Sequence, residues 1–172
     1  MRATTRDITL VGLFIASAII VPIFFHALGL GAMFLPMFLP ILIAGFLLDP
    51  FPAMAVGFLS PWISSFITSM PPLVPTAPLM CMEGLALAGV SSYLYRRQKR
   101  SLWVSLVVAV LAERLVLTAA VFLVTPLFNL PPEMLSVAAL TVSLPGIFLQ
   151  LILVPIIVIA IERIHTKPLV NS

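Results

Sequence analysis

The sequence predicts an all-α integral membrane protein, with six transmembrane helices and both termini in the cytoplasm. Three observations carry this. Hydrophobic residues make up 62% of the 172, and Asp, Glu, Lys and Arg only 9%, against about 25% charged in an average soluble domain. Residues 8–48 and 50–82 hold no Asp, Glu, Lys or Arg at all. Eight of the nine Lys and Arg fall into three short groups that close alternate spans. Too few charges are present to cover a soluble surface, and disorder needs the opposite composition. With Gly 8 and Cys 1, a collagen or a disulfide scaffold is excluded as well.

A spanning helix needs about 20 mostly apolar residues, at about 1.5 Å rise each, to cross a hydrocarbon core about 30 Å thick. Punctuation cuts the chain into six such pieces. The first covers residues 8–25 and ends at the stretch from His26 to Gly31. It has a basic start and an Ala16-Ser17-Ala18 triplet, but no polar mature domain follows, so it reads as a retained helix and not a cleaved signal. The second, 33–48, is short and ends at Asp49-Pro50. The third, 51–69, ends at Pro71-Pro72-Leu73-Val74-Pro75. The fourth, 77–95, ends at Arg96-Arg97-Gln98-Lys99-Arg100. The fifth is 102–125 and the sixth roughly 140–161. No linker or internal repeat divides them, which predicts one domain over residues 1–172.

Charge sets the orientation, because Lys and Arg near span ends favour the cytoplasm. With the N-terminus inside, Arg2, Arg6, Arg96, Arg97, Lys99, Arg100, Arg163 and Lys167 all fall inside. Only Arg114 is mid-span, and the outer loops carry neither Lys nor Arg. The net charge of +3 is thus an orientation signal toward the lipid bilayer, and no nucleic-acid partner is implied. Pro22, Pro36, Pro40, Pro61, Pro145 and Pro155 fall within spans. Each frees a carbonyl, which kinks a packed bundle or helps open a cavity. Outer loops one (His26 to Ala32) and three (Met70 to Thr76) are apolar and rich in Gly or Pro, as lids are.

Glu83, Glu113 and Arg114 sit inside spans, where each costs roughly 2.5–3.5 kcal/mol on insertion scales. Each therefore needs a partner or a purpose. Helices four and five run antiparallel, so Glu83 and Arg114 can approach one another or share a ligand. Glu113, rotated about 100° from Arg114, is expected on another face. Trp62, Ser65, Thr68, Thr118 and Gln150 lie at similar depth, with Asn129 in outer loop five and His26 in outer loop one. One reading is a buried ion pair that pins two helices. The other, preferred, is a small polar site in the outer half. There Arg114 forks onto a carboxylate or phosphate, Glu83 accepts from hydroxyl or amine groups, and Trp62 stacks on the ligand body.

No catalytic set is present. The two histidines, His26 and His165, fall at opposite faces and form no metal site. Cys81 lacks a nearby His. Neither Lys99 nor Lys167 follows a Gly in a P-loop, so no nucleotide or other cofactor is expected in this chain. Small residues four apart recur at Gly12 and Ala16, Ala53 and Gly57, and Gly84 and Ala88. Such pairs allow close helix approach in lipid.

Several segments together carry a resemblance. They are Gly31-Ala32-Met33-Phe34-Leu35-Pro36-Met37 running into Leu39-Pro40, then Ala44-Gly45-Phe46-Leu47-Leu48, then Pro50 to Gly57. Met80-Cys81-Met82-Glu83 with Gly89 follows, and then Arg114. End to end, the chain resembles the substrate-capture subunits (S components) of energy-coupling factor (ECF) transporters, prokaryotic cell-membrane proteins that take up vitamins and related micronutrients. The resemblance implies a ligand in the outer half, under loops one, three and five, among helices four to six. It also implies that Gly12 and Ala16 meet a transmembrane coupling subunit, which acts with two ATP-binding subunits.

The expected function is capture of a small, vitamin-like, carboxylate-bearing nutrient from outside, released inside when ATPase partners drive the subunit. Two rivals stand beside it. A stand-alone carrier would titrate Glu83 or Glu113 during its cycle. A non-transporting assembly protein would need Arg114 for folding alone. The candidate binding residues are Glu83, Arg114, Gln150, Trp62, Thr118, Asn129 and His26.

Overall fold

The computed structural model describes residues 5–128 and 143–166. Every regular element among them is helical: α1 Thr5–Ala27, α2 Gly31–Phe34, α3 Phe38–Leu47, α4 Pro50–Thr68, α5 Thr76–Ser92, α6 Leu102–Phe128 and α7 Leu144–Thr166. A π turn, Tyr93–Arg97, continues α5. Five helices, α1, α4, α5 together with its π turn, α6 and α7, are long and apolar enough to cross a membrane.

The predicted second span is the exception. Residues 33–48 do not form one helix but break into α2 and α3 at Leu35, whose φ of 47° and ψ of 51° are left-handed. The cause is in the sequence. A residue before proline is disfavoured in the helical region, so Pro36 stops α2 at its predecessor. Asp49 before Pro50 is extended for the same reason, and Pro50 then opens α4 as a first-turn proline. Only ten residues remain in α3, about 15 Å of helix, half a hydrocarbon core. The short helix survives because it does not face lipid. Phe38, Ile41, Leu42, Ala44 and Phe46 are at most 1% exposed, and α1, α4, α5 and α7 all pack on it. Broken backbone at membrane depth is tolerated where protein surrounds it. Beyond the C-terminal end of α3, the Leu48 carbonyl accepts from Ser92 Oγ of α5 at 2.7 Å.

Three of the prolines read within spans are placed where they do little harm. Pro40 and Pro145 sit in first turns, where the missing N–H has no helical partner to lose. Pro36 is in the break. Pro22, Pro61 and Pro155 are inside α1, α4 and α7. The turn after α1 needs a left-handed residue and has Gly29 there, φ 72°, letting Leu30 N–H reach Phe25 O at 2.8 Å.

Helices α4 and α5 meet through two of the small pairs read in the sequence. A methyl group on Gly57 would overlap the Gly84 carbonyl, and one on Gly84 would overlap that of Gly57. Ala53 and Ala88 are fully buried in the same bundle. Gly12 and Ala16 behave differently. Both are exposed on α1, and a methyl at Gly12 would meet nothing within 4 Å.

Candidate functional site

Polar groups gather in three places. The first is between α5 and α6. Glu83 is 5% exposed and Glu113 2%, and the two carboxyl groups are close enough to interact electrostatically. Arg114 Nε lies 2.9 Å from Glu113 Oε2, a close ionic contact whose angle does not make a hydrogen bond. Arg114 Nη1 donates to Ser143 Oγ at 3.1 Å. Ser143 stands just before α7, where its carbonyl accepts from Ile147 N–H, so the guanidinium ties α6 to the start of α7. Glu113 Oε1 is buried with no hydrogen-bond partner among the described residues.

Sequence spacing had put Glu113 and Arg114 on different faces. The structure corrects this. The Cβ directions do diverge, but both side chains are long enough to curl together. In an apolar bundle the attraction of opposite charges outweighs the lost rotamer freedom, about 2 kcal/mol for an arginine.

The second place is a cavity of about 610 Å³, within the range of roughly 300–1,000 Å³ usual for small-molecule sites. The end of α1 supplies Pro22 and His26, the break supplies Leu35, Pro36 and Met37, and loop three and α5 supply Met70, Thr76 and Met80. The His26 ring stacks over Gly31, where a methyl would overlap the imidazole. Two of the lining hydroxyls, on Ser64 and Thr68, are already engaged. Ser64 Oγ donates to Met70 O at 2.6 Å and Thr68 Oγ1 to the same carbonyl at 3.0 Å. Beside them Ser65 Oγ donates to Pro71 O at 2.6 Å. These three α4 side chains staple loop three down. Its apolar residues can therefore lie over the bundle without leaving those carbonyls unpaired. On α5, Glu83 follows Met80 by three residues, the neighbouring position of one helix face, about 4.5 Å deeper.

The third place is the opposite end of the bundle. Arg96 Nε lies 3.1 Å from Asp49 Oδ1, and Tyr95 Oη donates to the Glu162 carboxylate at 2.8 Å. Together they join the α3–α4 junction, the π turn and the last turns of α7.

The predicted residues thus divide. Glu83 and Arg114 belong to one cluster, bridged by Glu113. Thr118 Oγ1 donates to the Arg114 carbonyl at 2.8 Å, one turn back on its own helix. Trp62 is half-buried on α4 and lies beside Cys81, whose thiol donates to Phe58 O at 3.2 Å. Gln150 is buried on α7, two turns beyond Ser143. His26 lines the cavity instead. Asn129 lies outside the described residues. The sequence reading missed Ser143 as a partner of Arg114, and a lone serine carries no signal for it. Ser64 was missed too, although it stands beside the singled-out Ser65.

The family model described as "ECF transporter, substrate-specific component" matches residues 6–158. No curated protein and no solved structure matches the chain.

Proposed function

Since the chain belongs to the substrate-specific components of ECF transporters, we propose that it captures a small vitamin-like nutrient at the outer face of a prokaryotic cell membrane. Partner subunits then drive its release inside. Membership makes it a substrate-binding transport subunit in a multi-pass membrane protein. The proposal adds the direction, the ligand class and the partners.

One observation carries the reading: three ionisable side chains are kept inside an apolar bundle, and one of them, Glu83, stands one helical turn from Met80 in the wall of a cavity of nutrient size. Charges at that depth cost roughly 2.5–3.5 kcal/mol each, and a purely structural bundle gains nothing from a buried carboxylate oxygen without a partner. Direction follows from charge. The basic segment 96–100 and Arg163 mark the cytoplasmic end, so the cavity under loops one and three opens outward. The partners are a transmembrane coupling subunit and two ATP-binding subunits, with Gly12 and Ala16 offering the coupling subunit a surface without bulk. The expectation of a carboxylate on the ligand rested on a free Arg114 fork. With Glu113 and Ser143 already at the guanidinium, it loses its support.

The test is uptake into proteoliposomes. Accumulation of a nutrient only when the coupling subunit, both ATP-binding subunits and ATP are present bears the proposal out. Equal uptake by the chain alone would replace it with a stand-alone carrier, the reading that two adjacent carboxyl groups would favour.

A further inference from the structure

We infer that the ligand carries a cationic group, such as an amine or a ring nitrogen bearing positive charge, which faces Glu83. The inference rests on the reading of the chain as a substrate-capture subunit and adds the ligand's charge.

The argument is charge balance. The α5–α6 cluster contains two carboxyl groups, Glu83 and Glu113, and one guanidinium, Arg114. Arg114 faces Glu113 Oε2 at 2.9 Å and Ser143 at 3.1 Å, so its charge is committed on α6. Glu83 is then in excess, nine-tenths or more buried on the facing helix. A second sign of excess acceptor capacity is independent of the count: Glu113 Oε1 is fully enclosed beside Glu83 and accepts no hydrogen bond among the described residues. Among the described residues no other Lys or Arg stands near the cluster: Arg6 is in the first turn of α1, Arg96, Arg97, Lys99 and Arg100 follow α5, and Arg163 is in the last turns of α7, all at the other end of their helices. No Lys or Arg lies between Arg114 and Arg163, so residues 129–142 supply none either. His26 is exposed in the wall of the outer cavity. A carboxylate in oil that the chain does not neutralise must be balanced by a proton or by something bound.

An anionic ligand would raise the excess from one negative charge to two in a low-dielectric site. A cationic one removes it and gives Glu83 and Glu113 Oε1 charged donors, the strong kind of hydrogen bond. Met80 links the two regions. It lines the outer cavity, and Glu83 is the next position inward on its helix face, so the cavity takes the apolar body and Glu83 the charge.

The test uses the purified full chain in nanodiscs, dialysed against a growth-medium extract. Ion exchange first splits the extract into cationic, neutral and anionic small-molecule fractions. Mass spectrometry then reads what each fraction leaves on the protein. The expected result is retention from the cationic fraction alone, approaching one molecule per chain. Glu83→Gln should lower that retention about tenfold or more, and Glu83→Asp should keep the preference for the cationic fraction. Retention from the neutral or anionic fraction, or unchanged retention by Glu83→Gln in a monodisperse preparation, overturns the inference: a proton then balances Glu83, while the capture reading stands. Retention from no fraction overturns both.

Discussion

At the scale of single residues, the cost of buried charge decides what each substitution does. Arg114 holds Glu113 and Ser143, so Arg114→Ala strands a carboxylate in an apolar interior. Breaking one side of a buried pair costs about 3–5 kcal/mol, whereas replacing both sides can be nearly neutral. Arg114→Met alone should therefore lower the melting temperature in detergent much more than Arg114→Met with Glu113→Leu. Equal losses would show that the pair contributes nothing. Ligand binding separates the roles. Glu83→Gln is expected to weaken it while the protein still inserts in the membrane, and unchanged binding removes Glu83 from the site. The need for a partner near Glu83 and Arg114 was legible in the sequence, because ionisable residues in a span are costly wherever they point. Which partner was not. Helical spacing fixes where a Cβ points but not where a long side chain ends, and so Glu113 was placed apart from Arg114.

At the scale of elements, close backbone approach and proline placement govern the fold. Gly57 and Gly84 each leave no room for a methyl group. Gly57→Val should push α4 from α5 and cost about 1–3 kcal/mol or more, by analogy with overpacked cores. A thermal-stability assay that found no loss would mean the two helices can part freely. The ion pair Asp49–Arg96 is a contrast, its side chains 56% and 39% exposed. Exposed pairs contribute about 0–1 kcal/mol. Asp49→Asn should leave the melting temperature nearly unchanged, although the bond is well formed. The small-residue spacing on α4 and α5 was visible in the sequence as a candidate contact. The break of the second span was visible only in hindsight. Pro36 was noticed as a kink, but its effect on Leu35 depends on the chain finding a buried place for a ten-residue helix, and no local pattern states that.

At the scale of the whole molecule, topology and partner contacts make the predictions. Impermeant maleimide should label Leu73→Cys in intact cells and Gln98→Cys only after permeabilisation, in a Cys81→Ala background; the reverse pattern would invert the bundle. Trp at both Gly12 and Ala16 should abolish assembly with the coupling subunit and spare ligand binding. An intact complex would place the partner face elsewhere. The class of the protein and five of its spans to within a few residues were legible in the sequence alone, and the expected orientation rests on the sequence alone. Hydrophobic length and the sorting of Lys and Arg are set against the bilayer, an environment every such chain shares, so no knowledge of its own contacts is required. Which polar groups meet depended on tertiary structure. Ser143 reaches Arg114 across 29 residues of chain, Ser92 reaches Leu48 across 44, and the outer cavity exists because the break after α2, loop three and two helix ends converge. Contacts between distant parts of the chain follow from how helices pack against each other, and packing has no periodicity that a single sequence displays.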